Sequence, residues 1–170
     1  MITKMKEWIK SFTFYNEVRS RYNEPHRYYH NWNHVERLFD LLEDFDDDII
    51  IPSFTFKKEL ALSILFHDSV YDPKRSDNEV ESVKLFYEMT NCLDLDVDRN
   101  KIENLILSTS NPSLNYDKSF LVRLDVHDLQ DYDKAVQNEK LIFKEYEFVD
   151  WSLYKKKRLE ILRNIRWINK

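Results

Sequence analysis

The stretch Leu60-Ala61-Leu62-Ser63-Ile64-Leu65-Phe66-His67-Asp68 decides the fold of this chain. Its first seven residues form an apolar run that is long enough to lie in a protein core. The run ends abruptly in a histidine and an aspartate, whose side chains together suit a divalent metal ion. One His-Asp pair is weak evidence for a metal site, so its meaning depends on ligand-type residues elsewhere in the chain.

The composition favours an all-α protein. The chain has 170 residues, of which 42% are hydrophobic and 34% are charged, and these values are typical of one globular domain. It contains no glycine and only four prolines. Tight hairpins, dinucleotide-binding loops and P-loops use glycine for positive φ or for close approach to phosphate, so these structures are disfavoured. We therefore predict a single all-α domain over residues 1–170.

Charge and cysteine content restrict the partners and the compartment. The net charge is −5 and there is no long basic block, which argues against long nucleic acid as a partner. The single Cys92 excludes an intrachain disulfide and fits a reducing compartment. The first residues do not resemble a signal peptide, and no apolar run approaches the roughly 18 residues of a membrane span. We expect a cytoplasmic protein that does not bind a membrane.

Hydrophobic periodicity predicts a compact bundle of seven or eight helices. We expect helices over residues 4–20, from about 34 to 43, from Thr55 to Phe66, from Asp77, from Asp96 or Asp98, over 117–128, over 131–149 and over 151–168. Residues 108–115 read as a polar loop, and residues 49–52 read as an ordered apolar loop. No linker or repeat divides the chain.

Ligand-type residues occur at three places that lie at predicted helix ends: His34, the pair His67-Asp68, and Asp125. A mononuclear metal site needs three or four ligands that converge from different elements. The gap of about 30 residues between the first two places is the length of one helical hairpin, so successive helices can bring their ligands to one point.

Three motifs sharpen this interpretation: 24–34 (EPHRYYHNWNH), 66–73 (FHDSVYDP) and 76–82 (SDNEVES). In this combination they resemble one branch of the HD phosphohydrolase superfamily, which reads P-x-R-x-Y-H-x-x-x-H, F-H-D-x-V-Y-D-P and D-N-E-x-x-S. The resemblance extends to a late Leu-Asp motif and to the aromatic, basic C-terminal helix pair, so it covers nearly the whole chain. It implies a helical bundle of HD-domain type.

The resemblance also implies a function. His34, His67, Asp68 and Asp125 would hold one divalent ion, with Mn, Fe, Co, Ni, Zn or Mg all compatible. Superfamily members of this kind hydrolyse phosphoester bonds through a metal-activated water, which Asp68 would help to orient as a catalytic residue. The expected substrate is a nucleotide or another small phosphorylated metabolite.

Two departures from the motif pattern bear on the metal site. The late motif of this branch resembles Leu-Asp-x-Asp-Leu, whereas this chain reads LDVHDL over 124–129, so Asp125 and Asp128 are both candidates for the distal ligand. We favour Asp125 because it directly follows an apolar stretch. Relatives of this type often carry a further histidine in the loop that reads STSNP here over 108–112, and its absence counts against a dinuclear site.

Three residues near the ligands are candidates for catalysis or phosphate binding. Glu79 would act as a general acid or base, with helix capping as its structural alternative. Arg27 suits bidentate contact with phosphate, with a salt bridge as the alternative. His30 would meet substrate phosphate or a second ion, or would support His34 through a hydrogen bond.

The remaining candidates lie within or directly after the motif at 66–73. Tyr71 would line the substrate pocket, and Lys74 and Arg75 would attract an anionic substrate. The basic run at 155–158 reads as a solvated helix face.

Two other classes of protein compete with the enzyme. A non-catalytic nucleotide or second-messenger binding module would keep the pocket with a degenerate metal site. A purely helical interaction protein would have to carry three matched ligand motifs by chance.

Overall fold

The fold was analysed in a computed structural model that describes residues 5–44, 53–115 and 118–165. These residues form ten α-helices and contain no strand: Met5–Lys10 (α1), Tyr15–Arg21 (α2), Trp32–Asp44 (α3), Phe54–Phe66 (α4), Asn78–Thr90 (α5), Arg99–Ser108 (α6), Pro112–Asn115 (α7), Phe120–Asp125 (α8), Tyr132–Glu145 (α9) and Trp151–Asn164 (α10). A short 3₁₀ helix, His127–Gln130, joins α8 to α9. The all-α prediction is confirmed.

Helix α4 is the centre of the bundle. Its C-terminal half, from Leu60 to Phe66, is apolar on all sides except for Ser63, and every residue of that half is buried. The helix packs against α1, α2, α3, α5, α6 and α8. Each of its buried leucines contributes about 2 kcal/mol of hydrophobic free energy. Ser63 is tolerated in this core because its hydroxyl donates to the carbonyl oxygen of Glu59 at 2.8 Å.

The predicted count of seven or eight helices is wrong, mainly because the segment 4–20 is divided into α1 and α2. Ile9 and Phe14 are both buried but are five residues apart, whereas Phe14, Val18 and Tyr22 recur every four residues. The turn between the helices corrects the phase, so that both apolar stripes face the core. Ser11 supports this turn by donating to the carbonyl oxygen of Trp8.

Other predicted bounds also change. The polar loop at 108–115 contains the short helix α7, and the helix predicted over 131–149 ends at Glu145. The apolar loop predicted at 49–52 and the end of the last predicted helix, 166–168, lie outside the described residues. The chain also forms a turn without glycine at Asp96, whose φ of 48° lies in the left-handed region.

None of the described helices is both long enough and apolar enough to cross a bilayer.

Candidate metal centre

Three helices bring the four predicted ligands together. His34 lies in the first turn of α3, and His67 and Asp68 follow directly after the last residue of α4. Asp125 is the last residue of α8. Because α3 and α8 both pack against α4, the ligand-bearing ends of the three helices meet at one end of the bundle. We call His34, His67, Asp68 and Asp125 the ligand cluster.

The side-chain atoms of the ligand cluster face one another. The Nε2 atoms of the two histidines are 3.3 Å apart. His67 Nε2 lies 3.0 Å from Asp68 Oδ2, and His34 Nε2 lies 3.0 Å from Asp125 Oδ1. The crossed distances are 4.0 Å from His34 to Asp68 and 3.9 Å from His67 to Asp125. Two ligands of one ion, with bonds of about 2.1 Å, can be at most about 4.2 Å apart, so this spacing fits a single divalent ion.

Three of these residues, His34, His67 and Asp68, are close enough to bind one metal ion without a fourth ligand. Their ligand atoms lie within 4.8 Å of one another. The two histidine side chains are buried, and 14% of the Asp68 side chain is exposed. Two imidazole nitrogens and one carboxylate form a donor set that transition ions accept. These three residues could therefore hold a metal.

His67 has the tautomer that a metal ligand needs. Its Nδ1 lies 2.9 Å from the carbonyl oxygen of Ile64, one turn earlier. A carbonyl oxygen only accepts, so Nδ1 carries a proton in every form of the ring, and in the neutral form the Nε2 lone pair would face the cluster. The last turn of α4 thus orients this ring.

His34 is held in the opposite way. The guanidinium of Arg37 donates to His34 Nδ1 over 2.9 Å. Because Nδ1 accepts this hydrogen bond, the proton of the neutral His34 ring is assigned to Nε2. That proton points towards Asp125 Oδ1. Before Nε2 can bind an ion, either the proton must leave or Arg37 must release Nδ1.

The electrostatics keep both carboxylates of the cluster ionised. Burial opposes the charge of Asp68, but the facing His67 outweighs it and holds the pKa of Asp68 well below its usual range. Burial likewise opposes the charge of Asp125, while the hydrogen bond from His34 lowers the pKa of that carboxyl. Burial lowers the pKa of His34, whereas for His67 the attraction of Asp68 overcomes burial and raises the pKa to about 9.

The structure brings Asp125, and not Asp128, to the histidines. Asp128 is buried on the far side of Arg37, where its Oδ2 pairs with the Arg37 guanidinium at 2.5 Å and accepts from Asn138. Asp128 is thereby occupied by protein partners. The choice of Asp125 as the distal ligand agrees with this placement, and its ligation of an ion stays a prediction.

A cavity of about 690 Å³ opens beside the ligand cluster and is lined by Asp68 and Asp125. This volume lies within the range of small-molecule sites. The predicted pocket residues that also line it are His30, Tyr71, Lys74, Arg75 and Glu79. Burial raises the pKa of the half-buried Glu79 carboxyl, and the charge of Asp68 adds to that effect.

Arg27 is the one predicted substrate-binding residue that the structure does not bring to the cavity. Its side chain is buried and donates to Glu24 and to the carbonyl oxygens of His30, Asp68 and Ser69. The structural alternative, a salt bridge, is present at 2.8 Å. Arg27 therefore ties the segment before α3 to the chain that follows α4, and its position gives no support to phosphate contact.

The sequence gives no indication of Glu145, which organises one cavity wall. The Glu145 carboxylate is fully buried and accepts from the backbone N–H groups of Tyr29 and His30 at 2.7 and 2.9 Å. It also pairs with His30 Nδ1 at 2.5 Å and accepts from the Tyr71 hydroxyl at 2.7 Å. We call these groups the Glu145 network. An isolated glutamate near the end of an amphipathic helix carries no signal for this role.

The basic run at 155–158 is not purely a solvated face. Lys157 and Arg158 line the cavity, and Arg158 is half-buried against Glu139 with an Nε–Oε2 distance of 2.8 Å. Lys155 and Lys156 are exposed and are not among the cavity residues. The expectation holds for Lys155, Lys156 and Lys157, which are exposed, and is wrong for Arg158, which α10 turns towards Glu139.

No protein-family model, curated protein or solved structure matches this chain. The chemistry of the site must therefore be judged from its own residues. Two histidines and two ionised carboxylates can hold a cation. The lysine and arginine side chains and the hydroxyls of the cavity can bind an anion, and the half-buried glutamate can protonate it.

Proposed function

We propose that the protein is a metal-dependent phosphohydrolase of HD-domain type that acts on a nucleotide or another small phosphorylated metabolite. The observation that carries this proposal is the convergence of two histidines and two carboxylates beside a cavity that also presents lysine and arginine side chains. A cation site next to an anion-attracting wall suits hydrolysis of a phosphate ester.

His34, His67, Asp68 and Asp125 would hold the ion. When bound there, a divalent ion would supply positive charge that polarises a phosphoryl oxygen and lowers the pKa of a water molecule. The Nδ1 hydrogen bond to Ile64 directs His67 Nε2 towards the ion, and both His67 and His34 would have to give up the proton on Nε2 before binding it.

Residues of the cavity would carry out the rest of the reaction. The partly exposed Asp68 carboxylate would orient the attacking water. The water oxygen forms a bond to phosphorus as the ester P–O bond breaks, and the leaving oxygen takes up a proton. Glu79 lines the same cavity, and its raised pKa suits it to that proton transfer. Lys74 and Arg75 would attract the anionic substrate.

His30 would face the phosphoryl group from the Glu145 network. Burial lowers the pKa of His30, but the hydrogen bond and charge of Glu145 outweigh it and raise the pKa above its ordinary value. With Nδ1 held by Glu145, the ring is fixed beside Tyr71, at a centroid distance of 4.4 Å. A fixed imidazole would, in its protonated form, stabilise negative charge on phosphate.

A metal-depletion experiment tests the proposal. Purified protein is treated with a chelator and reloaded separately with Mn²⁺, Fe²⁺, Co²⁺, Ni²⁺, Zn²⁺ or Mg²⁺. Each sample is then assayed for phosphate release from a panel of nucleotides and phosphomonoesters. We expect release only after reloading. Absence of turnover with every ion would contradict the proposal.

One observation favours a second candidate, a non-catalytic nucleotide-binding module. The hydrogen bond from Arg37 to His34 Nδ1 assigns the proton to Nε2, and Asp125 accepts it, so hydrogen bonds alone can hold this pair together. Tight nucleotide binding without turnover in the same panel would establish this candidate in place of the enzyme.

A further inference from the structure

The cavity extends well beyond the space that one phosphoryl group would need at the ligand cluster. Its walls include the loop after α4, the α9–α10 connection and the inner face of α10. Its volume of about 690 Å³ suits a ligand of nucleotide size. The residues of the outer wall should therefore select among phosphate esters.

The cations of this wall fall into two classes. Arg75 is held by Asp77 through two hydrogen bonds of 2.7 and 2.8 Å, and Arg158 is paired with Glu139. Lys74 and Lys157 also line the cavity, yet no carboxylate in residues 5–44, 53–115 or 118–165 forms an ion pair with either ammonium group. Both lysines are exposed, whereas the carboxylates of the ligand cluster are mostly buried. Among the described residues, positive charge that forms no ion pair with a carboxylate thus lies at the outer part of the cavity.

An exposed aromatic ring accompanies these lysines. Phe148, in the α9–α10 connection, lines the cavity with 51% of its surface exposed. Its ring lies nearly parallel to Tyr146 at a centroid distance of 6.0 Å. The Lys74 ammonium lies 5.3 Å from the Phe148 ring centroid, which places charge and ring side by side. A planar ligand that covered this ring would remove apolar surface from water.

We propose that Lys74, Lys157 and Phe148 form a subsite for the part of the substrate beyond the scissile phosphate. The ligand that fits them is a nucleotide with a second phosphate, separated from the first, whose base or sugar packs on Phe148. This inference rests on the proposed phosphohydrolase function and specifies its substrate class.

The test compares two probes on the metal-reloaded protein, adenosine 3′,5′-bisphosphate and adenosine 5′-monophosphate. We expect kcat/KM for the bisphosphate to exceed that for the monophosphate by about tenfold, since the extra phosphate meets unpaired ammonium groups. Lys157→Ala should bring the ratio close to one. Lys156→Ala, on the same helix but not in the cavity wall, should leave the ratio as in the wild type.

The aromatic part is tested with ribose 5-phosphate, which lacks the base. Wild-type protein should prefer adenosine 5′-monophosphate over ribose 5-phosphate, and Phe148→Ala should reduce that preference by about tenfold. Equal rates for the two adenosine probes in the wild type would overturn the inference. The inference would also be overturned if Lys156→Ala lowered the bisphosphate-to-monophosphate ratio of kcat/KM as much as Lys157→Ala does.

Failure of the proposed function gives a different result. If no probe is hydrolysed with any ion, the enzyme proposal fails, and the subsite is then judged by equilibrium binding of the same probes. The bisphosphate should bind about tenfold more tightly than the monophosphate, and Lys157→Ala should abolish the difference. Identical affinities for the two probes would overturn the subsite independently of turnover.

Discussion

The buried Glu145 carboxylate lies behind the wall of the cavity, whereas Asp68 and Asp125 line that cavity, and the surroundings of these carboxylates differ. The Glu145 carboxylate accepts from four protein donors, which occupy about the four acceptor positions that a carboxylate offers. In the ligand cluster, Asp68 and Asp125 face only the Nε2 atoms of His67 and His34 among the described residues. The first carboxylate is saturated by the protein, and the other two retain capacity for a ligand.

This difference in hydrogen bonding distinguishes a structural carboxylate from one that can bind a ligand, although both are largely buried. A saturated carboxylate stabilises the fold and orients its donors, which here include a cavity histidine. An unsaturated carboxylate beside imidazole nitrogens keeps oxygen atoms for an ion. Changes in the Glu145 network should therefore act first on stability, and changes in the ligand cluster should act first on metal binding and activity.

The largest effect is expected for Asp68→Ala. The variant should lose bound metal, and kcat should fall by more than about a hundredfold, because even groups that support a ligand are worth ten- to hundredfold. Bound metal is measured by elemental analysis after gel filtration, and kcat is measured by phosphate release. Exposed Asp94→Ala is the matched control and should behave like the wild type. Full activity in the Asp68 variant would remove it from the site.

The paired variants Asp125→Asn and Asp128→Asn should give the next largest effect. Asp125→Asn should weaken metal affinity by about ten- to a hundredfold. Asp128→Asn should leave metal affinity near that of the wild type but lower the free energy of unfolding by about 1–2 kcal/mol, because Arg37 loses its carboxylate partner. Metal titration and denaturant unfolding distinguish the two. The reverse pattern would make Asp128 the distal ligand.

Glu145→Gln should act on stability. An amide presents donors where the carboxylate accepts, so we expect a loss of about 2 kcal/mol in the free energy of unfolding. Burial raises the pKa of Glu145, but the hydrogen bonds from His30 and Tyr71 outweigh burial and lower it overall. The ionised carboxylate therefore stabilises the fold above its unfolded pKa, and this contribution is lost as pH falls through the folded pKa.

The acid limb of the unfolding curve checks this assignment. Urea titrations between neutral pH and the acid range should show a smaller loss of stability for Glu145→Gln than for the wild type. Parallel acid limbs for the two proteins would mean that Glu145 is not the titrating group.

The smallest effect is expected for Tyr71→Phe. The change removes one hydrogen bond to Glu145 and keeps the ring stacked on His30, so stability should fall by about 1 kcal/mol. Tyr28→Phe, at an exposed tyrosine, is the control and should be neutral. A loss of metal in Tyr71→Phe would contradict the assignment of the Glu145 network to stability rather than to metal binding.

The sequence was sufficient for the ligand cluster because each member is a metal-ligand residue next to an apolar helical stretch. His67 and Asp68 follow a run that is buried in full, and His34 and Asp125 lie at the ends of neighbouring helices. Residue type, spacing and helical phase carry that information locally. The choice of Asp125 over Asp128 agrees with the short distance from Asp125 to His34, and ligation by Asp125 stays a prediction.

The features that the sequence did not predict depend on long-range packing. Glu145 is 115 residues from His30, and nothing near it marks it as buried. The break between α1 and α2 involves no glycine or proline, and it follows from the need to direct two apolar stripes to one core. The assignment of Lys157 to the cavity and of Lys156 to solvent requires the orientation of α10, which the composition of the run does not give.

The placement of the ligands on three separate helices has a consequence for the topology of the chain. An ion held by His34 and His67 would close a loop between residues 33 positions apart, and Asp125 would add a second, longer loop. Such a closure removes conformational entropy from partly unfolded chains, as a disulfide does. A chain with a single exposed cysteine has no covalent cross-link of its own. In the proposed enzyme the metal would serve as that cross-link, and the free energy of unfolding would be higher while the ion is bound.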